Sequence, residues 1–251
     1  RIQVVTEGIL TRRIQADPEL SGIRLLIFDV FHERSLQTDL GLALALDAAA
    51  LREDLHILVM SATLDAAGIA ALLGSAAAPA PVISGAGRSY PVIVHHLVQT
   101  PQDPVAAMTP AVRSALAEHA GDLLCFLPGV AEINRVAADL GEPTGVEVLP
   151  LHGSLSLTEQ ERALRPRSGG PRRVVLATDL AETSLTIEDI GVVVDSGLTR
   201  KPRFEPGPGM TRLITQPIAQ ASAEQRAGRA GRLGPGHCIR LWTEADHRRR
   251  P

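Results

Sequence analysis

The chain has 251 residues, 45% of them apolar and 21% charged, with a formal net charge of −3. That is enough to bury one large core or two of roughly 100–150 residues, which excludes disorder, collagen and small disulfide scaffolds. Cys125 and Cys238 stand far apart in sequence, which argues against a disulfide framework or a cysteine metal cluster and for a reducing, cytoplasmic setting. The alanine-rich apolar runs are broken well short of the roughly 18 residues a membrane span requires, and no basic-then-apolar leader opens the chain. A soluble, unexported protein with no membrane partner is expected. The chain opens on Arg1 rather than methionine and so reads as a piece of something longer.

In chain order, strand-length apolar runs alternate with helical patterns. A strand at 2–5 and a helix at 7–15 come first, then a strand at 25–28, a helix at 36–51, a strand at 57–60, a helix at 66–73 and a strand at 92–97. The polar, proline-flanked stretch 99–104 is the best domain break, which divides the chain into 1–99 and 100–251. A helix at 104–119 follows, then strands at 123–126, 146–149, 174–177 and 191–194 separated by helices at 130–140 and 158–164. The segment 200–215 holds Pro202, Pro206, Gly207, Pro208 and Gly209, which rules out a helix and predicts a hairpin or long loop carrying Arg203 and Arg212. A helix at 222–229 and a strand at 238–242 close the series. Most strands are continuously apolar, as strands covered on both faces are. The expected fold class is therefore α/β, with mainly parallel, doubly wound sheets and ligands at the carboxyl ends of the strands.

Charge is unevenly spread. Residues 197–251 hold eleven basic and four acidic side chains on an otherwise acidic chain, a pattern that suggests a polyanion partner or a phosphate site. All the basic residues but Lys201 are arginine, so a single arginine in place of lysine carries little meaning.

Four segments carry candidate chemistry. Asp29 ends an apolar strand, where an acid can hold a water-coordinated Mg²⁺ beside a nucleotide or simply cap the next helix. Ser61-Ala62-Thr63 follows the next strand, where small hydroxyl side chains link sites through hydrogen bonds or form ordinary turns. The segment from Ala177 to Ile187 places hydroxyl and carboxyl side chains at a strand end, which serves a sugar-phosphate backbone or a polar connection equally well. The sharpest signal is Gln225-Arg226-Ala227-Gly228-Arg229-Ala230-Gly231-Arg232. On a helix, Gln225 and Arg229 share one face with Arg232 a further three residues on, and Gly228 and Gly231 allow close backbone approach. Arginines converging without local acidic partners point to a bound phosphate.

Read in order, these segments resemble the motif series of the superfamily 2 helicases, specifically the DEAH-box RNA helicases and most of all their bacterial HrpB-type branch. Thr6-Glu7-Gly8 is similar to motif Ib, Asp29-Val30-Phe31-His32 to motif II, Ser61-Ala62-Thr63 to motif III and Phe126-Leu127-Pro128-Gly129 to motif IV. Leu151-His152-Gly153-Ser154-Leu155 looks like the element after it, the segment from Ala177 to Ile187 like motif V, and the segment from Gln225 to Arg232 like motif VI. The resemblance covers essentially the whole chain. It implies two RecA-like lobes, the first incomplete at its N-terminus, with ATP and Mg²⁺ as cofactors and single-stranded nucleic acid, RNA rather than DNA, as partner. By motif position, Asp29 would hold Mg²⁺ through water, and His32, Ser61 and Thr63 would couple the nucleotide site to lobe movement. Thr186 and Glu188 would meet the nucleotide, and Gln225, Arg229 and Arg232 would position the attacking water and neutralise the γ-phosphate. Thr6, Gly8, His152, Gly153, Thr178 and Ser184 would contact the sugar-phosphate backbone, with Arg203 adding charge.

Two departures stand out. The family's motif II has glutamate where this chain has Val30, and valine neither accepts a proton nor hydrogen-bonds to the attacking water, so impaired hydrolysis is expected. No Gly-rich loop ending in Gly-Lys-Ser/Thr occurs in the sequence, so the phosphate loop is expected upstream of Arg1. The competing expectations are an inactive nucleic-acid-binding scaffold with a helicase fold and a DNA-directed superfamily 2 motor.

Overall fold

Helices and strands form largely where the apolar pattern predicts them, in a computed structural model that describes residues 1–31, 35–61, 66–85, 90–165, 169–182, 187–205, 207 and 209–251. The chain divides into two compact units, Arg1–Ala86 and Gly87–Pro251.

In the first unit, helix α1 (Glu7–Ala16), strand β1 (Leu25–Phe28), helix α2 (Leu36–Ala50), strand β2 (His56–Val59) and helix α3 (Ala66–Leu73) follow one another. β1 and β2 pair in parallel, and α2 supplies the crossover connection that a parallel pair needs. Ser35 caps α2 by accepting the N–H of Thr38 at 3.0 Å, and its hydroxyl removes one of the helix's orphan donors. The core is small: Ile14, Leu20, Ala48 and Leu55 form one cluster, and Phe28, Phe31, Leu42 and Ala45 a second. The strand expected at 2–5 does not form. Ile2 and Val4 are 92% and 95% exposed, and the only sheet in this unit among the described residues is the β1–β2 pair, so the segment has no ladder to join.

The second unit is built on a six-stranded parallel sheet of β3 (Val92–His96), β4 (Asp122–Phe126), β5 (Val146–Leu151), β6 (Arg172–Ala177), β7 (Ile190–Asp195) and β10 (Gly236–Arg240), in the order β3-β10-β7-β4-β6-β5. The continuous apolar runs now have a reason. Along β4, β6 and β7, Leu123, Cys125, Val174, Leu176, Val192 and Val194 pack on one face with helices α4 (Met108–Glu118) and α5 (Val130–Leu140). Leu124, Phe126, Val175, Ala177 and Val193 pack on the other, with Ala163 of α6 (Leu157–Leu164) and Ala227 of α7 (Gln220–Gly228). A strand covered on both faces needs apolar residues at both parities. Helix α8 (Glu244–Arg249) ends the series.

The expected boundary after residue 99 is corrected to 86. β3 lies in register beside β10 from Val92–Gly236 to His96–Arg240, so the strand belongs to the second sheet. The polar stretch at 99–104 is a connection within the second unit, where Asp103 Oδ1 accepts the N–H groups of Val105 and Ala106 and α4 begins at Met108. Residues 200–215 form an antiparallel hairpin of β8 (Leu198–Glu205) and β9 (Met210–Pro217). Pro202 sits on this two-stranded ribbon, where the missing N–H costs no central ladder bond. No helix among the described residues is long and apolar enough to cross a membrane.

Candidate nucleic-acid interface

The carboxyl ends of β4, β5 and β6 open into a groove of about 310 Å³ lined by Pro128, Gly129, Val130, His152, Gly153, Thr178, Asp179, Arg200 and Leu213. Three of the residues assigned to the nucleic-acid backbone, His152, Gly153 and Thr178, therefore lie together. The loops that carry them are tied to the sheet: the Thr178 N–H donates to Leu151 O at 3.2 Å and the Leu127 N–H to Ala177 O at 2.8 Å. His152 is largely buried, with Nδ1 2.8 Å from Ser154 Oγ. Gly153 is exposed, and a Cβ there would meet nothing within 4 Å.

Arg200 supplies positive charge to the groove, whose lining also includes Asp179. Its guanidinium pairs with Glu132 Oε1 at 2.8 Å, and an added Cβ on Gly129 would lie 2.5 Å from Arg200 Nη1 and 2.9 Å from Glu132 Oε2. A side chain at 129 would thus displace this pair. Arg203 lies outside the lining, exposed on β8 opposite Arg212, where two arginines face each other across the ribbon.

Motif VI is organised around a residue the sequence reading did not assign. Arg226, with no exposed surface, donates to Glu182 Oε2, Asp195 Oδ1 and Asp179 Oδ1, each at 2.9 Å. Its guanidinium also lies 4.7 Å from the centre of the Phe126 ring. Burial works against its charge, but the carboxylates of Asp195, Glu182 and Asp179 outweigh that penalty and hold its pKa above the ordinary value. No acid local in sequence pairs with Arg226, but carboxylates distant in sequence, at a strand end and in a loop, do, so this arginine is not held for a bound phosphate.

Arg229 stands on the 3₁₀ turn Arg229–Gly231 that continues α7. It is nearly buried, and its Nε donates to the Glu182 carbonyl at 2.9 Å, so Glu182 links both arginines, one through its side chain and one through its backbone. Burial, followed by repulsion from Arg232, pushes the Arg229 pKa down to about 10. Burial also lowers that of the more exposed Arg232, and Gln225 is half-buried on α7. Of the two glycines expected to permit close approach, only Gly231 does. A Cβ there would lie 2.6 Å from Tyr90 O and 2.8 Å from Val92 Cγ2, whereas one on Gly228 meets nothing within 4 Å.

Asp29 is exposed just beyond β1, with Oδ1 accepting the Val30 N–H at 2.8 Å. The segment stays tied to the end of β2, since the Met60 N–H donates to Phe28 O at 2.8 Å and the Phe31 N–H to Met60 O at 3.1 Å. Val30 adopts φ 54°, a region costly for a β-branched residue. Ser61 follows β2 and is half-buried. Thr6 precedes α1 without a side-chain capping bond, and Gly8 lies exposed in its first turn. Glu188 is exposed, its carbonyl accepting Arg173 Nη2 at 2.8 Å. His32, Thr63, Ser184 and Thr186 lie outside the described residues.

Residues 107–234 match the helicase conserved C-terminal domain family, and the chain belongs to it. The chain is 53% identical to the ATP-dependent RNA helicase HrpB of Escherichia coli over 248 residues, covering 96% of this chain and 30% of that protein. It is 39% identical to the pre-mRNA-splicing factor ATP-dependent RNA helicase prp22 of Schizosaccharomyces pombe over 257 residues, 99% of this chain and 22% of that one. A crystal structure of the E. coli DEAH/RHA helicase HrpB superposes with a TM-score of 0.91 at 50% identity, covering all of this chain and 32% of that one. The chain thus spans about a third or less of the relatives it matches.

Proposed function

We propose that the protein to which this chain belongs is an ATP-dependent RNA helicase that couples ATP hydrolysis to movement on or unwinding of RNA, and that the 310 Å³ groove holds the strand. The observation that carries this is the meeting of His152, Gly153 and Thr178 at the carboxyl ends of adjacent parallel strands. That is where open α/β sheets bind ligands, and such contacts track backbone shape and charge rather than sequence. The names of the two relatives, both RNA helicases, favour RNA over DNA. A cytoplasmic location agrees with the buried, unpaired thiols.

Asp29 suits a Mg²⁺ held through water: one carboxylate oxygen is fixed by the Val30 N–H and the side chain is exposed at a strand end. Mg²⁺ typically keeps several waters and takes one or two carboxylates beside a nucleotide's phosphates. The ion would supply charge neutralisation at the β- and γ-phosphates. Gln225, Arg229 and Arg232 would meet the γ-phosphate and the attacking water, with Thr186 and Glu188 at the nucleotide. The half-exposed apolar residues Leu25 and Ile27 on β1 support reading the first unit as part of a larger RecA-like lobe. The second unit would then be the second lobe.

Val30 favours a second reading, a protein that binds RNA and nucleotide without cycling. The test compares RNA-stimulated phosphate release by the full-length protein and its Val30→Glu variant. General-base assistance is worth about 10²–10⁴ in rate, so the variant should hydrolyse faster by that factor. Equal, substantial rates would show that another group activates the water. No hydrolysis by either protein, with RNA still bound, would favour the scaffold.

A further inference from the structure

Away from the groove, at the β3–β10 edge of the sheet, three imidazoles converge. His95 comes from β3, His237 from β10 and His119 from the residue that ends α4. One ring nitrogen of each lies within 4.8 Å of the others. His95 Nε2 is 3.1 Å from His237 Nδ1, and the His119 and His237 rings stack with centroids 4.1 Å apart. We propose that His95, His119 and His237 bind a divalent transition-metal ion of the zinc type, with solvent completing the coordination.

The geometry suits that chemistry. A tetrahedral ion with metal–nitrogen distances of about 2.0–2.1 Å needs its ligand nitrogens about 3.3 Å apart, close to the His95–His237 separation. Small ring rotations at His119 would close the third position. The three ligands sit on hydrogen-bonded elements. His237 and His95 are held by the parallel β3–β10 ladder. The His119 N–H donates to Ala115 O at 3.0 Å, and its carbonyl accepts Arg172 Nη2 at 2.9 Å. Burial, and then the neighbouring rings of His119 and His95, lower the His237 pKa, which keeps its lone pair available at neutral pH. His95 is exposed, so the site opens to solvent on one side and a water can occupy the fourth position. A bound ion would staple the edge strand β3 to β10 and to α4, joining the two ends of the second unit's sequence. Three neutral nitrogen donors select zinc, cobalt, nickel or copper over Mg²⁺, which takes oxygen ligands.

The test uses the untagged, metal-stripped full-length protein. Titration with Co²⁺ should give visible ligand-field bands that saturate at one equivalent above the background of the variants, with Zn²⁺ abolishing them and Mg²⁺ leaving them unchanged. His237→Gln should remove this component. His95→Ala removes an exposed ring whose hydrogen bond and stacking go to His237; it should weaken the component at least about tenfold while the apo thermal midpoint stays close to that of the unmodified protein, so it carries the comparison if His237→Gln fails to fold. Zn²⁺ at 100 times its dissociation constant should raise the midpoint by about 5 °C or more, an increase absent from His95→Ala. The same bands and the same increase in His95→Ala, or neither in the unmodified protein, would overturn the proposal.

Discussion

Arg226 and Asp195 meet with neither side chain exposed, Nη1 lying 2.9 Å from Oδ1. This pair joins α7, which carries motif VI, to the end of β7 in the centre of the sheet. Glu182 and Asp179, both from the turn after β6, bond the guanidinium's other N–H edges, so one positive charge meets three carboxylates from two segments. The network fixes the start of Arg229 and Arg232 relative to the strand ends.

Removing Arg226 should leave Asp195 buried without its partner, a loss of about 3–5 kcal/mol of stability. Arg226→Met unfolds at lower urea than the unmodified protein by that margin. Arg226→Lys recovers only a minor part, because an ammonium cannot present three directed edges to three carboxylates. Full recovery by lysine would show that charge alone, rather than geometry, holds the network.

The two glycines of motif VI should separate cleanly. Gly231→Ala places a methyl group 2.6 Å from the Tyr90 carbonyl, a backbone atom that cannot swing aside, and costs about 1–3 kcal/mol as an overpacked site. Gly228→Ala enters open space at the end of a helix and stays within about 1 kcal/mol of neutral, on the stabilising side. Paired denaturation curves check this, and equal effects would contradict the packing.

Three histidines with lowered pKa should make the second unit sensitive to mild acid. Burial lowers the pKa of His96, His237 and His247, with nearby Arg240 adding to the effect at His96 and His247 and the rings of His119 and His95 at His237. A histidine whose folded pKa lies below its unfolded value of about 6.5 binds more protons when unfolded. Its contribution is therefore fully present above about pH 6.5 and is lost as pH falls toward the folded pKa. Metal-free protein should show a falling thermal midpoint between pH 7 and pH 5, and His96→Gln should flatten that slope. A midpoint that rises on acidification would contradict the shifts.

The strands at the centre of the second sheet were legible because burial on both faces writes unbroken apolar runs; at 200–215 the prolines and glycines excluded a helix but left hairpin and long loop open, and the β8–β9 pairing decides for the hairpin. The domain boundary was not. Val92–His96 looks like any strand in sequence, and only its pairing with Gly236–Arg240, far along the chain, assigns it to the second sheet. The strand expected at 2–5 failed for the complementary reason, a correct local pattern without a neighbour. Motif spacing singled out His152, Gly153 and Thr178, which line one groove, but passed over Arg226, whose partners lie 31 to 47 residues away. An arginine in the sharpest motif, with acids at two predicted strand ends, was the signal available.

The most direct measurement is the affinity of the full-length protein and its Gly153→Asp variant for a single-stranded RNA of mixed sequence. Position 153 is exposed with no atom within 4 Å of a new Cβ, so an aspartate there is tolerated by the fold and adds a negative charge to the groove's lining. It faces the phosphates there as a like charge. The expected result is an unchanged thermal midpoint and an affinity lowered by about tenfold or more. Unchanged affinity in a folded variant would contradict the assignment of this groove to the nucleic-acid strand.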